Sequence, residues 1–336
     1  MCIRDSYEID IDGYQNLSWE LEMPDGLLGS FIGVKLADII GDGVPELVAV
    51  ANLSSNGDET ILQPIIFYYK WYDDGFAENP SGYLNIGNQN DFVRCHNFDL
   101  INLDNDEDQE ILLSLGSPMR SLALIDLDSE NNLVMIEHLE PTALSTGIGF
   151  VYAKSIDWNN DGYDEIISFS PEGNVLKIQP YFNRNGSLVL GDAKQQIITG
   201  INGLLPMSII VSDWDLDGFK DVLLPFQSGH IVAMTLSPAS VAIDILPIDA
   251  GPLSDMSVVD INLDNINDLL LVSGEMNMIT MAIGSLDTVG LKTSYFTLET
   301  DTTDAQVFNI IPVSDKGIYT GSVSYTHLTL PTNREV

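Results

Sequence analysis

The sequence predicts an all-β chain assembled from a repeated four-stranded unit, and three observations carry that expectation. Five segments align without gaps: "DIIGDGVPELV" from Asp38, "NLDNDEDQEIL" from Asn102, "DWNNDGYDEII" from Asp157, "DWDLDGFKDVL" from Asp213 and "DINLDNINDLL" from Asp260, with starts 64, 55, 56 and 47 residues apart. Each copy follows an apolar run and leads into a second, β-rich one. No segment sustains helical periodicity between capping residues. Short strands at a spacing of about 50 residues, separated by turn residues, are the pattern of propeller blades.

The strands follow in chain order. "GVKLADI", "HNFDLIN", "YAKSIDW", "SIIVSDW" and "MSVVDIN" precede the five loops, and "ELVAVAN", "EILLSLG", "EIISFSP", "DVLLPFQ" and "DLLLVSG" follow them. Two further strands complete each unit, as in "IIFYYKW" with "GYLNIG" or "HIVAMTL" with "VAIDILPI". Upstream, "YEIDIDGYQNLSWELEMP" reads as the last two strands of a blade; downstream, "AQVFNIIPVSDKGIYTGS" reads as the first two. The expectation is five whole blades and two partial ones, making six if the partial pair closes a composite blade, or a piece of seven.

The termini stand apart. Back-translation of "MCIRD" (1–5) can be chosen so that its reverse complement encodes "VSYTH" (323–327), the relation expected of inverted sequencing adapters. Residues 1–6 and 322–336 are therefore set aside as adapter translation, with 7–321 read as a propeller fragment open at both ends, as from a metagenomic insert. Removing Arg4 and Arg334 together with Asp5 and Glu335 leaves the net charge of −37 unchanged. That charge disfavours nucleic acid, which needs clustered Lys and Arg. No apolar run reaches the roughly 18 residues of a membrane span. Outside the adapter, Cys95 is alone, so there is no disulfide framework.

The loops share acid or amide at positions 1, 3 and 5, a turn-tolerant residue at 6 and acid at 9. Two carboxylates about 5 Å apart repel by roughly 3 kcal/mol at an effective dielectric near 20, so such crowding calls for a cation. Calcium, with six to eight oxygen ligands in a flexible shell, suits it better than magnesium, and softer metals lack His and Cys ligands. An EF-hand would need a bidentate Glu at position 12, where the copies carry Ala49, Leu113, Ser168, Leu224 and Leu271. Metal-free Asp/Asn/Gly turns remain the competing account.

Loop, spacing and strands together resemble the FG-GAP and VCBS repeats of integrin-α-like β-propellers over residues 7–321. The resemblance implies calcium ligands residue by residue. The fourth copy offers Asp213, Asp215, Asp217, the carbonyl of Phe219 and Asp221. The third offers Asp157, Asn159, Asp161, the carbonyl of Tyr163 and Glu165. The fifth offers Asp260, Asn262, Asp264, the carbonyl of Ile266 and Asp268, with Asn265 in place of Gly at position 6. The second has Asn102, Asp104, Asp106, Asp108 and Glu110, but Glu107 at position 6. The first keeps Asp38, Asp42, Val44 and Glu46 and loses a ligand at Ile40. Up to five calcium ions are expected, the third, fourth and fifth loops supplying the fullest ligand sets.

Trp158 and Trp214, at an otherwise aliphatic position 2, are expected to pack between blades. His96, His138 and His230 are scattered without a nucleophile, and the aromatics of "IIFYYKWYDDGF" are expected to pack within a strand. The resemblance and the acidity imply an extracellular binding, adhesion or scaffold module for a protein or glycan ligand, without catalysis. The alternative is the propeller of a carbohydrate-active enzyme such as a polysaccharide lyase. Convergence of Lys154, Lys177, Lys220 and Arg94 on one central pocket would favour it.

Overall fold

The computed structural model describes residues 2–9, 15–22, 28–54, 62–72, 75–87, 93–104, 106, 108–116, 119–141, 144, 150–214, 217–237, 240–246, 248, 251–260, 265–273, 275, 278–283, 294–299, 307–315 and 318–325. Among them the structure is all-β, the one helical element being a single 3-10 turn at Pro206–Ser208.

Strands β1 (Cys2–Ile9) and β2 (Gln15–Glu22) form a two-stranded sheet. The first blade is β3 (Leu28–Ala37), β4 (Glu46–Ser54), β5 (Gln63–Tyr69) and, after a small ribbon of β6 (Trp71–Tyr72) and β7 (Gly75–Phe76), β8 (Gly82–Asn85). The second is β9 (Cys95–Ile101), β10 (Glu110–Leu115), β11 (Ser121–Leu127) and β12 (Leu133–Leu139). The third is β13 (Tyr152–Ile156), β14 (Glu165–Glu172), β15 (Val175–Asn183) and β16 (Leu188–Leu190), with β17 (Lys194–Ile197) also pairing with β15. The fourth is β18 (Ile210–Ser212), β19 (Asp221–Pro225), β20 (Ile231–Ser237) and β21 (Ser240–Ile245). The fifth is β22 (Asp255–Val259), β23 (Asp268–Ser273), β24 (Met278–Ile283) and β25 (Ser294–Glu299). Strands β26 (Val307–Asp315) and β27 (Ile318–Tyr325) make a last two-stranded sheet. Five four-stranded antiparallel blades thus appear where the repeats place them, in a β-propeller fold, with a strand pair at each end. Two compact units divide the chain: Met1–Glu172 with Leu176–Gln195, and Gly173–Val175 with Gln196–Val336.

The second strand of each blade explains the continuous apolar runs. β4, β10, β19 and β23 are buried at every position. A strand covered on both faces cannot show the alternation of a half-exposed one. Within the first unit, Ile111 and Leu113 of β10 pack with Val48, Val50 and Ile66 of the first blade. The intervening Leu112 faces the other way, toward Ala153, Ile166 and Tyr181 of the third. In the second unit, Trp214 packs among Leu253, Met256, Leu269 and Leu271 of the following blade, the inter-blade role expected of it. The fourth strand is an outer edge, and β12 accordingly exposes its middle residues. The aromatic run divides: Phe67, Tyr68 and Tyr69 are buried, whereas Trp71 and Tyr72 lie exposed on the β6–β7 ribbon, Trp71 edge-on to Phe76.

Buried polar side chains join neighbouring blades of the first unit. The Asn52 amide donates to the Cys95 carbonyl and accepts from the Cys95 N–H, at 2.9 and 2.8 Å. Asn97 makes the same two-way contact with Ala153. Two residues further along β9, the Asp99 carboxylate accepts from Ser155 N–H and Oγ and pairs with Lys154 and Lys35. One anion on the first strand of the second blade thereby holds cations from the first strands of its two neighbours.

Burial pushes Asp99 toward the neutral form, but the Lys154 and Lys35 charges outweigh it and hold the carboxyl at about 2. Burial is the larger influence on Lys35, whose ammonium titrates below its usual range despite Asp99. A carboxyl depressed from near 3.8 to about 2 contributes roughly 2–3 kcal/mol that is fully present above pH 4–5 and lost as pH falls through 2. Asp99→Asn is therefore expected to lower the melting temperature at pH 6 by several degrees, with the gap to the unmodified protein narrowing between pH 4 and pH 2. A gap that stays constant across that range removes the ion pairs from the account.

Candidate metal loops

Each repeat loop joins the first and second strands of its blade. Position 9 is the first residue of the second strand and is buried in every copy: Glu46, Glu110, Glu165, Asp221 and Asp268 are each at most 2% exposed. In four copies that carboxylate accepts the N–H of position 2, from Ile39, Leu103, Trp158 and Trp214 at 2.9–3.4 Å. Position 1 caps the turn. Asp38 accepts from Gly41, Asp42 and Gly43; Asp157 from Asp161 and Gly162; Asp213 from Gly218; and Asp260 from Asn265. Position 5 adds a bond two residues on, from Asp42 to Val44, Asp161 to Tyr163 and Asp217 to Phe219. Position 6 is left-handed in each described copy, at Gly43, Gly162, Gly218 and Asn265, with φ between 64° and 92°.

Position 8 links successive loops within each unit. Gln109 N–H donates to the Asp38 carbonyl, Asp164 N–H to the Asn102 carbonyl, and the Asn267 amide to the Asp213 carbonyl. Asp164 also returns a carboxylate oxygen to Asn102 N–H. Three chemically different residues do one job, so no shared residue type marks the position in the sequence.

Among the described residues, the second loop gathers the most carboxylates. Asp104, Asp106 and Glu110 each bring an oxygen within 4.8 Å of the others, and so do Asp108, Glu110 and Asp126. Asp126 lies on β11, outside the repeat. The β10–β11 ladder pairs Ile111 with Ile125, so one step on it sets Glu110 opposite Asp126. The same step opposes Glu46 to Lys70, and the β19–β20 ladder pairs Asp221 with Thr235, whose hydroxyl donates to it at 2.5 Å. A cation or a donor thus meets the buried acid in the first and fourth blades, whereas the second adds another anion. Burial, reinforced by neighbouring carboxylates, pushes Glu110 up to about 8 and Asp108 to about 7, and raises Asp104 and Asp126. Burial likewise takes Glu46 and Glu165 to about 7.

In the third loop, Asn159 accepts from Asp161 N–H and donates to the Asp161 carboxylate, closing the turn on itself. Asp215, Asn262, Asp264 and Glu107 lie outside the described residues. Among the carbonyl positions, Val44 and Phe219 are exposed and Ile266 is buried. The other candidates have structural partners: His138 meets Ser121, His230 meets Ser228, and His96 packs on Phe150 and Tyr152. Lys154 pairs with Asp99 and Lys177 with Glu172, in separate clusters.

Residues 157–224, comprising the third loop, its blade and the fourth loop into β19, match the model of the FG-GAP-like repeat family. The chain is a β-propeller that carries an FG-GAP-like repeat. No curated protein matches it. Among solved structures, this propeller is similar to rhamnogalacturonan lyase YesW, with TM-score 0.54 and 13% identity over 92% of this chain and 55% of that one. It is also similar to the exotype rhamnogalacturonan lyase YesX, with TM-score 0.52 and 14% identity over 90% and 57%. The chain spans somewhat over half the length of those lyases, and likeness at that identity is one of fold. No helix among the described residues is long and apolar enough to cross a membrane.

The left-handed sixth position can be tested by backbone chemistry alone, because a Cβ added at Gly218 would meet nothing within 4 Å. Gly218→Val is expected to cost about 1–2 kcal/mol, measured by denaturant unfolding, whereas Gly218→Asn should retain most of the stability, as Asn265 does natively in the fifth loop. Equal losses for the two variants would show that backbone handedness does not limit the turn.

Proposed function

We propose that this propeller is a calcium-stabilised binding module, acting outside the cell as an adhesion or scaffold element for a protein or glycan ligand rather than as a catalyst. The observation that carries the reading is that Glu110 is shared by two carboxylate groups, one with Asp104 and Asp106 and the other with Asp108 and Asp126. A buried carboxylate facing further carboxylates is unfavourable unless protonated or matched by a cation. A hard divalent ion matches oxygen-only ligands. Its role would be structural: binding to the folded state alone stabilises by mass action, by about 2.7 kcal/mol at one hundred times Kd. Calcium titration followed by calorimetry and thermal melting tests this. Saturable binding and a chelator-induced fall in melting temperature are expected. Asp126→Asn should remove or weaken one site at least tenfold, even though it lies outside the repeat. No binding heat together with an unchanged melt in chelator would reject the metal.

One observation favours a second reading as part of a carbohydrate-active enzyme: Lys35 and Lys154, from the first strands of two blades, converge on Asp99. A lysine held below its usual titration range is the kind of group that can remove a proton. Against this, both ammonium groups are already paired with a buried carboxylate. Purified protein is expected to release no unsaturated product from acidic polysaccharide in an ultraviolet assay. Turnover abolished by Lys35→Met would replace the binding reading with the enzymatic one.

A further inference from the structure

Three Asn-X-Ser triplets with X other than Pro occur in the chain, at Asn16, Asn52 and Asn185. That triplet is the acceptor pattern for an N-linked glycan, and so bulky a hydrophilic substituent is carried only where the Asn side chain meets solvent. The fold separates the three. Asn52 lies within β4, is 5% exposed and spends its carboxamide on Cys95 of the next blade, so a sugar there would break the contact between two blades. The side chain of Asn16, on β2, lies outside the described residues. Asn185 is exposed at the tip of the β15–β16 hairpin.

Arg184 and Ser187 exchange backbone hydrogen bonds at 2.9 and 3.4 Å, leaving Asn185 and Gly186 as the central residues of the turn, with φ of 53° and 87°. Two positive φ values are the pattern of a type I′ turn, which favours Asn-Gly whatever residue follows. The turn therefore accounts for Asn185 and Gly186 but not for Ser187, which is exposed. Among the described residues, neither the Asn185 carboxamide nor the Ser187 hydroxyl has a hydrogen-bond partner. On its inner side the hairpin is anchored: Asn183 Nδ2 donates to the Leu103 and Asp164 carbonyls at 2.6 and 3.0 Å, and its Oδ1 accepts the Gly186 N–H at 2.9 Å. On its outer side Val189 and Leu190 of β16 are 41% and 44% exposed. A fixed base and an open tip leave room for a large substituent without the loss of any contact.

We propose that Asn185 is the acceptor of an N-linked glycan when the chain is exported through a compartment that holds an oligosaccharyltransferase. The co-substrate is an oligosaccharide carried on a lipid diphosphate. Asn185 Nδ2 forms a bond to the anomeric carbon, the bond from that carbon to the diphosphate oxygen breaks and leaves its electron pair on the oxygen, and the amide gives up one proton. Ser187 supplies the hydroxyl that the acceptor pattern needs and the turn does not. The glycan would stand beside the second loop, because a Cβ on Gly186 would come within 3.2 Å of the Asp104 Cβ. The inference rests on the extracellular part of the function proposed above, and not on calcium or on any ligand.

The experiment is secretion of the full chain behind a cleavable export signal from cultured insect cells, with translation into microsomes run in parallel and glycopeptides from both read site by site by mass spectrometry. Asn185 is expected to carry a glycan in most molecules and Asn52 in none of the secreted, folded ones. Ser187→Ala should lower occupancy of Asn185 at least tenfold while leaving the Asn-Gly turn in place, and Ser187→Thr should preserve it. An empty Asn185 in the microsomal or the secreted product, occupancy unchanged in Ser187→Ala, or a glycan on Asn52 of folded protein would overturn the proposal. A chain retained in the cell yet glycosylated at Asn185 in microsomes would count against the extracellular reading and leave this one standing.

Discussion

A buried acid at the start of the second strand is the constraint on which the rest of each blade depends. It occupies the most enclosed strand of the blade, yet its oxygen must reach back seven residues to the N–H of position 2, in the loop just after the first strand. That single bond sets the loop length and fixes where the first strand ends and the second begins. It also fixes the register of the hairpin, and a slip of one residue would exchange Ile111 and Leu113 with Leu112 between two different inter-blade cores. Asp serves in the fourth and fifth copies and Glu in the others, and both are buried to the same degree.

Burying five carboxylates has a cost that the blades meet in different ways. Lys70 stands across the ladder from Glu46 and favours its charged form, and Thr235 donates a hydroxyl to Asp221. In the second blade the opposing residue is Asp126, and the carboxyls are driven toward neutrality by burial and by one another. Loops built on one pattern therefore differ in their demand for a cation, because the residue across the ladder belongs to a strand that the repeat pattern does not cover. Completeness of the loop motif ranks the third to fifth copies highest; the described side chains gather most densely in the second.

What was legible in the sequence follows from local rules. The left-handed sixth position was readable from Gly, and from Asn265 because Asn tolerates that backbone. The blades were readable because enclosed second strands leave continuous apolar runs. Asn52 and Asn97 were not, since a polar residue in a strand ordinarily reads as solvent-facing, and their two-way bonds to Cys95 and Ala153 exist only once neighbouring blades are in place. Position 8 escaped for another reason: backbone N–H groups of Gln109 and Asp164 do the bonding, so the side chain leaves no trace, and only Asn267 uses its amide. Asp126 required knowing which residue of β11 lies across from Glu110. Registers of that kind are set by tertiary pairing, not by composition.

The division of labour along a blade has a physical basis. Connections between first and second strands are short, repeated and tied to one another through position 8, which leaves little freedom for them to diverge without loosening the next loop. At the other end the second and third blades place Arg120, His96 and Phe150. Variation tolerated at one end because stability is secured at the other is the arrangement that lets a repeat scaffold carry a specific site. The row of Lys35, Asp99 and Lys154 lies between the two ends, on the first strands, where side chains of three successive blades come within reach of one another. Charge complementarity there acts across blades rather than within one, so it couples the spacing of the blades to the geometry of both ends.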